Sequence, residues 1–205
     1  MTRPAPRRTR RTLTTAAVVV LAAAVGAGSP AQAATTASVG CTARATAQKF
    51  KAVDGDPNAY FTAPGGTFES GATGWTLSGA SVVAGNESRY VNGSGHAKSL
   101  QVLWGGRAVS PIFCNQYGER SIRFFYKGTV GARVHLHIDV TNSATDNRST
   151  LDWEAVVPLL GWGTATAIMV PDLYSQGYEN LQLTFTAVAG TVVVDDVEID
   201  PFKPL

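Results

Sequence analysis

Two segments of the chain alternate strictly between apolar and polar residues. The apolar positions are Val134, Leu136, Ile138 and Val140 in the first segment and Leu181, Leu183, Phe185 and Ala187 in the second. Successive side chains of a β-strand point to opposite faces of a sheet, so this spacing predicts strands with one buried and one polar face. Strands of that kind are typical of antiparallel sheets that cover a core on one side.

Glycine-containing turns divide the chain after residue 64 into short apolar or alternating runs. This regular spacing of turns between short runs is typical of an all-β sandwich or barrel. We predict strands at residues 75–77, 80–83, 99–104, 108–110, 121–126, 132–140, 154–157, 165–169, 181–187 and 191–199. No stretch sustains the apolar period of a helix.

The first 33 residues have the features of a secretory signal peptide. Five arginines precede a wholly apolar run at residues 16–25, and Ala31-Gln32-Ala33 offers small residues for cleavage. The apolar run is short for a bilayer span, so we predict a secreted, extracellular protein without a membrane anchor. Arg10 and Arg11 leave the twin-arginine route as an alternative to the general secretory route. The Ala- and Arg-rich signal is typical of bacteria.

Removal of this segment reverses the sign of the net charge. The full chain carries 17 Lys and Arg against 15 Asp and Glu, a net charge of +2. The five arginines lie in the signal, so the remaining 172 residues have a net charge of −3. Nucleic-acid-binding domains carry clustered basic patches, so no nucleic-acid partner is expected. The length suffices for one domain with a sizeable core, and we expect a monomer.

Cys41 and Cys114 are the chain's only cysteines. In an exported protein an even pair predicts a disulfide, and two free buried thiols are the alternative. Residues 42–50 are compatible with a short helix or an extended arm. We interpret residues 34–63 as an N-terminal arm that the disulfide ties to a domain spanning residues 64–205.

Motifs at the two ends of that domain carry a family resemblance. Residues 65–79 read GGTFESGATGWTLSG, and residues 191–200 read TVVVDDVEID. Together they resemble the galactose-binding-like jelly rolls, the β-sandwich shared by many carbohydrate-binding modules. The resemblance implies a two-sheet antiparallel jelly-roll sandwich over about residues 65–201. Residues 64–69, 75–79, 83–87 and 123–125 also resemble a group of uncharacterised secreted bacterial proteins that occur as stand-alone domains.

The resemblance implies a structural calcium ion. In such domains a Glu after the early Phe and an acid in the last strand hold the ion, and the matching residues are Glu69 and Asp195 or Asp196. Strict alternation puts Asp195 and Asp196 on opposite faces, with Val194 and Glu198 on the face of Asp196, and Asp196 is the preferred ligand. The alternative is that these acids cap turns or accept hydrogen bonds from backbone N–H groups.

The polar face of the strand at residues 132–140 carries Arg133, His135, His137 and Asp139. Two imidazoles two residues apart can meet one metal ion, and a nearby carboxylate can support the site. A zinc site needs a third ligand, and His96 is the only other histidine. A sugar-contacting surface is therefore preferred over a metal site, and an ordinary exposed polar face is the plain alternative.

Four tryptophans raise the question of a sugar-stacking platform, because aromatic faces stack on pyranose rings. Trp75 matches the Gly-Trp turn of the resemblance and is expected in the core. Trp153, between two acids, is the best candidate for exposure and for the ligand-binding surface. Trp162 suits either environment, and simple packing is the alternative for all of them, Trp104 included.

The sequence lacks the Gly-x-Ser-x-Gly elbow, the His-Glu-x-x-His helix and a phosphate-binding loop. Asp152 and Glu154 form the one tempting local pair of carboxylates, and a solvated strand edge explains them better. We therefore predict a secreted non-catalytic domain that binds a polysaccharide or a cell-wall glycan. The alternative is a secreted structural or protein-interaction domain without glycan affinity.

Overall fold

The computed structural model describes residues 41, 44–115, 119–171, 173 and 178–201, which belong to one compact unit of the chain. The predicted signal at residues 1–33 and the start of the predicted arm lie outside the described residues. The elements in chain order are α1 (Lys51–Asp54), β1 (Phe61–Thr62), β2 (Thr76–Ala84), β3 (Lys98–Val109), β4 (Phe113–Asn115), β5 (Glu119–Gly128), β6 (Arg133–Asn142), β7 (Arg148–Val156), β8 (Gly163–Thr164), β9 (Ile168–Met169), β10 (Glu179–Ala189) and β11 (Val192–Pro201).

The only helix in these ranges, α1, has four residues. It begins after Phe50 and ends at Gly55, whose φ of 84° supplies the left-handed conformation that closes a helix. The helix therefore follows residues 42–50, where a short helix was one of the two expectations. No described helix is long and apolar enough to cross a membrane.

The strands form a curled antiparallel sheet in the order β7-β6-β10-β3-β11-β5-β8. Its two halves face each other across the core. The first sheet contains β11, β5, β8 and the first half of β3, and the second contains β7, β6, β10 and the second half of β3. The predicted all-β, two-sheet antiparallel sandwich is confirmed.

Strand β3 belongs to both sheets. Its residues 100–102 pair with β11, whereas residues 107–109 pair with β10. Neighbouring β2 bends with it, because the β2–β3 register shifts between Ser78 and Ala80. A Cβ atom on Gly106 would lie 2.3 Å from the backbone oxygen of Gly79. Glycine at position 106 therefore allows the two paired strands to approach each other closely at the corner of the sandwich.

The core is apolar and follows the predicted alternation. The inward residues of β6 and β10 are all buried, namely Val134, Leu136, Ile138, Val140, Leu181, Leu183, Phe185 and Ala187. Phe124 of β5 packs edge-to-face against Phe185, with ring centroids 4.9 Å apart. Burial of this face is the main favourable contribution to folding.

The N-terminal arm covers the outer face of the first sheet. Phe50 stacks on Phe125 of β5 with centroids 5.7 Å apart, and Tyr60 packs edge-to-face on Phe50 at 4.9 Å. Arg123 of β5 forms ion pairs with Asp54 and Asp56 of the arm, and its Nη1 lies 2.8 Å from Oδ2 of Asp56. The part of this outer face around Arg123 and Phe125 is therefore interior rather than solvent-exposed.

The predicted disulfide between Cys41 and Cys114 is present, with Cα atoms 5.2 Å apart and a sequence separation of 73 residues. It connects the start of the arm to β4. Arg44, three residues later, donates to the carbonyl of Cys114 at 2.8 Å and lies over the ring of Phe61. The bridge and the arginine together fix the arm at this point.

Candidate functional site

The polar residues of β6 lie on the outer face of the second sheet, as the alternation predicted. Polar residues of the neighbouring strands stand beside them. The partners on β7 are Glu154 for His135, Asp152 for His137 and Thr150 for Asp139, and the partners on β10 are Thr186, Thr184 and Gln182 in the same order. We call this surface, with Arg133 and Arg148 at its ends, the polar face.

Asp152 joins the two histidines of the polar face. Its Oδ1 atom lies 3.0 Å from Nε2 of His135 and 2.7 Å from Nδ1 of His137. Asp139 approaches His137 from the same strand, with Oδ1 3.4 Å from Nε2. Arg133 pairs with Glu154 at the start of β6. The charged side chains are thus positioned by each other, which fixes a pattern of donors and acceptors.

These contacts shift the ionisation of two groups. The hydrogen bond to Asp152 raises the pKa of His137 above its usual 6.5, and the charge of Asp139 acts in the same direction. The same hydrogen bond lowers the pKa of Asp152 below 3.8. Asp152 is therefore a carboxylate at neutral pH, and His137 gains proton affinity.

A groove of about 300 Å³ continues the polar face beyond Asp139. Its lining residues are Ile112, Asp139, Val140, Thr141, Asp146, Arg148, Thr150, Asn180, Leu181 and Gln182. The side-chain oxygen Oδ1 of Asn180 is buried and has no hydrogen-bond partner. A buried acceptor without a protein partner is costly, so this atom requires a water molecule or another donor.

The sequence did not identify Arg148 and Thr150 of the groove as strand residues. Arg148 and Thr150 fall before the predicted strand at residues 154–157, because β7 begins six residues earlier than predicted. Gln182 was already on the polar side of a predicted strand. The strand order was the missing information, since it places β6 between β7 and β10.

Trp153 does not lie on the polar face, and this expectation was wrong. It pairs with Leu136, an inward residue of β6. Its ring packs edge-to-face against Phe124 and Tyr126, with centroids 5.4 and 5.9 Å away. Alternation along β7 turns Asp152 outward and therefore turns Trp153 toward the core.

The other tryptophans occupy three environments. Trp75 is in the core, as expected, and its Nε1 donates to the carbonyl of Pro64 at 2.9 Å. Trp162 is partly buried beneath the ammonium group of Lys127, 4.3 Å from the ring centroid. Trp104 is 77% exposed at the corner of β3. None of these three rings belongs to the polar face.

The outer face of the first sheet holds a second polar cluster, made of four fully buried acids. They are Glu87, Asp195, Asp196 and Glu198. We call them the acidic cluster. The regular alternation expected for the last strand fails here, because the β11–β5 register shifts between Asp195 and Glu198 and Asp196 has a φ of 45°. This bulge lets Val194 and Val197 both enter the core while the acids remain together.

Two members of the acidic cluster accept hydrogen bonds from the backbone. Asp195 accepts from the N–H of Glu87 at 2.9 Å and from that of Asp196 at 2.9 Å. Glu87 accepts from the N–H groups of Val91 and Arg89. Asp195 therefore fits the alternative expectation that these acids accept hydrogen bonds from backbone N–H groups, and Glu87, which the sequence analysis did not name, does the same.

The other two members are incompletely satisfied. Neither carboxylate oxygen of Asp196 has a hydrogen-bond partner, and Oε2 of Glu198 has none. Oε1 of Glu198 accepts from Asn92 at 2.6 Å and Thr62 at 2.9 Å, and Nζ of Lys49 lies 3.8 Å away. Unpartnered buried carboxylates are the donors that a hard cation such as calcium requires.

Burial raises the pKa of three acids of the cluster, Asp195, Asp196 and Glu198. The pKa of Asp195 rises to about 8, first through burial and then through the charge of Asp196. Burial also raises the pKa of Asp196 to about 7; the nearby amide of Asn92 opposes this shift, although it lies outside hydrogen-bonding geometry, and the charges of Glu198 and Glu87 add to it. Proximity of like charges and loss of water thus disfavour the ionised forms.

Glu69, the other acid implied by the resemblance, has a different set of contacts. Its Oε1 accepts from the N–H groups of Ala97 at 2.9 Å and Lys98 at 2.7 Å. It therefore fastens the loop before β3. Among the described residues, no group of three or more His, Cys, Asp or Glu side chains is arranged to hold a metal ion. Carbonyl oxygens and water would have to complete a calcium site around Asp196.

No protein-family model matches the chain, and no curated protein matches it. Several solved structures match the chain. The xylan-binding domain CBM22-1 of Xyn10C from Paenibacillus barcinonensis is 20% identical, with 68% of this chain and 93% of that chain covered and a TM-score of 0.43. TmCBM61, solved with β-1,4-galactotriose, is 14% identical over 66% of this chain and 94% of that one, with a TM-score of 0.42.

A third match is the CBM22-1–GH10 portion of the Clostridium thermocellum xylanase 10B. It is 18% identical, with 65% of this chain covered and a TM-score of 0.45, and this chain spans 27% of its length. These partial matches establish no function. The fold described above is established by the strand pairing, and the candidate site by the arrangement of its side chains. Carbohydrate-binding modules are thus among the structures that this chain is similar to, as its motifs indicated.

Proposed function

We propose that this domain is a secreted, non-catalytic carbohydrate-binding domain and that the polar face is its binding surface. The proposal is based on a row of outward-facing polar side chains on β6, β7 and β10 that can donate and accept hydrogen bonds. This row leads into the groove beside Asn180. A polysaccharide or a cell-wall glycan is the expected ligand.

The chemistry of the polar face suits hydroxyl groups. Sugar hydroxyls both donate and accept hydrogen bonds, so a surface that binds them needs both kinds of group. Asp139 and Asp152 supply acceptors, Arg148 supplies donors, and Gln182 supplies both. Their mutual ion pairs hold several of them in place before a ligand arrives, which lowers the entropy cost of binding.

The carboxylates of the polar face are poorly suited to glycoside hydrolysis. A general acid needs a raised pKa, whereas hydrogen bonding to His137 lowers the pKa of Asp152. Glu154 is paired with Arg133. The lowered pKa of Asp152 and the pairing of Glu154 with Arg133 favour a binding surface over a catalytic pair.

A structural calcium ion at the acidic cluster is the second part of the proposal. Asp196 would be its main ligand, because both of its carboxylate oxygens are buried without partners. Glu198 would contribute its free Oε2 atom, and Glu69 remains the ligand that the resemblance implies. The ion would neutralise charge at the bulge of β11 and would take no part in glycan binding.

The test is a pull-down of the purified protein with insoluble polysaccharides and cell-wall preparations, followed by a glycan array. Replacement of His135 and His137 by Ala should weaken binding by about tenfold, since several hydrogen bonds are lost. Arg148→Ala should weaken it as well. Arg89→Ala, at an exposed arginine in the loop over the first sheet, is the matched control.

Two results would contradict the proposal. One is the absence of binding to every polysaccharide, which would favour the structural or protein-interaction alternative. The other is glycan binding that the double histidine variant and Arg148→Ala leave unchanged. An unchanged melting temperature in the variants would show that the fold is intact, as expected because Val134, Leu136 and Ile138 still fill the core.

A further inference from the structure

Exposed apolar side chains are concentrated at one end of the sandwich. Nine large apolar residues are exposed in the described part of the chain, and seven of them lie at this end. Leu103 and Trp104 form the corner of β3, Val130 is in the β5–β6 turn, and Val188 precedes the β10–β11 turn. Val156, Leu159 and Leu160 lie at the end of β7 and after it. We call this surface the apolar end.

Backbone contacts hold these segments together. The N–H of Thr129 donates to the carbonyl of Thr191 at 3.0 Å, which joins the β5–β6 turn to the β10–β11 turn. The N–H of Val157 donates to the carbonyl of Ala132 at 2.9 Å, which attaches the end of β7. Pairing of Val102 with Val192 places the corner of β3 beside them. The turn residues Trp104, Val130, Leu159 and Leu160 therefore lie at the same end of the sandwich, whereas Leu103 faces outward from the first sheet and Val156 from the second.

Four of the side chains, Trp104, Val130, Leu159 and Leu160, protrude far into solvent. Leu160 is 92% exposed and Val130 is 83% exposed. Such side chains fill no pocket of their own and make little contact with each other. A second protein usually packs on a flatter apolar area, whereas protruding Leu, Val and Trp side chains can enter the fluid boundary of a lipid bilayer. Trp104 suits the level of the lipid headgroups in particular.

The charged residues nearest in sequence to the exposed apolar side chains are mainly positive. Within three chain positions of the seven apolar side chains, the charged residues are Arg107, Lys127, Arg133 and Glu154. Glu154 is ion-paired with Arg133, and Arg107 is exposed. An excess of cations next to protruding apolar groups is complementary to anionic headgroups.

We propose that the apolar end docks the domain on the surface of an anionic lipid bilayer. Trp104, Leu160 and Val130 enter the interface, while Arg107 and Lys127 contact the headgroups. The contact is peripheral, because it uses turns and strand ends and spans nothing. The residues changed to test this role differ from those changed to test glycan binding, so glycan binding and lipid binding can fail separately.

Sedimentation with vesicles tests this role. The probe is a mixture of phosphatidylglycerol and phosphatidylcholine, with pure phosphatidylcholine as the comparison. The protein should first be shown by mass spectrometry to lack residues 1–33, since that apolar segment would bind lipid by itself. We expect sedimentation with the anionic vesicles, a blue shift of tryptophan emission and weaker binding at high salt.

Variants assign the binding to this surface. Trp104→Ser with Leu160→Ser should lower the vesicle partition coefficient by at least about tenfold and remove the blue shift. Tyr90→Ser with Met169→Ser, which alters the two exposed apolar side chains elsewhere, should change neither. Arg107→Gln with Lys127→Gln gives a second measurement that leaves the apolar tips in place and should reduce binding to the anionic vesicles alone.

Three outcomes would overturn the proposal. The first is no sedimentation with anionic vesicles, and the second is equal loss of binding in the control pair. The third is a dimer in analytical ultracentrifugation that the Trp104 and Leu160 changes convert to a monomer, since the apolar end would then contact a second copy of the chain.

Discussion

The carboxylate of Asp152 accepts a hydrogen bond from Nδ1 of His137 across 2.7 Å, between neighbouring strands of the polar face. This contact predicts that His137 titrates above its usual pKa of 6.5. Because the pKa is raised in the folded protein, the pair stabilises the fold fully below the unfolded pKa. The contribution is lost as pH rises through the folded pKa.

Histidine titration by NMR checks this prediction. Asp152→Asn should lower the pKa of His137 toward 6.5, although the charge of Asp139 will keep part of the shift. Asp146→Asn, in the β6–β7 turn, is the control and should leave it unchanged. A His137 that titrates at or below 6.5 in the parent protein would contradict the assignment of the contact.

The two tryptophans Trp153 and Trp104 should differ sharply in their contribution to stability. Trp153→Ala removes a ring that packs on Phe124 and Tyr126, so the free energy of unfolding should fall by about 3 kcal/mol. Trp104→Ala removes a ring that is 77% exposed and should change it by less than about 0.5 kcal/mol. Urea denaturation measures both, and equal losses would refute the placement of Trp153.

Gly106 should tolerate no side chain. A Cβ atom there would lie 2.3 Å from the backbone oxygen of Gly79, so Gly106→Ala should destabilise the fold by about 2 kcal/mol. Gly95→Ala is the control, because nothing lies within 4 Å of its Cβ position. The melting temperatures of the two variants are compared, and similar values would argue against the close approach of β2 and β3 at this point.

The disulfide should contribute substantially to stability. It closes a loop with a sequence separation of 73 residues, for which the chain-entropy model gives roughly 4 kcal/mol. Replacement of Cys41 and Cys114 by Ser should therefore lower the melting temperature clearly. In the parent protein both sulfurs should resist alkylation until a reductant is added, and free thiols in the folded protein would disprove the bridge.

Calcium should raise the melting temperature of chelator-treated protein by mass action. Asp196→Asn should remove most of that response, because this residue has two buried carboxylate oxygens without partners. Glu69→Gln and Glu198→Gln then compare the ligand that the family resemblance implies with the one that burial favours. A melting curve that neither chelator nor Ca²⁺ changes would leave all these acids as structural hydrogen-bond acceptors.

The inward residues of β6 and β10 were predictable because a strand repeats every two residues, and this period is written in the local sequence. The same rule would have placed Trp153 correctly, since Asp152 and Glu154 on its two sides face outward together. The acids on both sides of Trp153 suggest an exposed ring, but they face outward while the ring faces the core. The alternation itself was the signal.

The acidic cluster was only half predictable. Asp195 and Asp196 were singled out, but Glu87 reaches them from a loop more than 100 residues earlier in the chain. The bulge that keeps Asp195 and Glu198 on the same side depends on pairing with β5, which no local pattern encodes. The groove beside Asn180 likewise depends on strand order.

The passage of β3 from one sheet into the other has a consequence for how the domain unfolds. Its first half is paired with β11 and its second half with β10. Backbone hydrogen bonds to this one strand therefore connect the two layers. Melting of either layer would therefore disrupt β3, the strand that both layers share. Hydrogen exchange should therefore find the slowest amides on both sides of Gly106 opening together, in one cooperative unit that includes both layers.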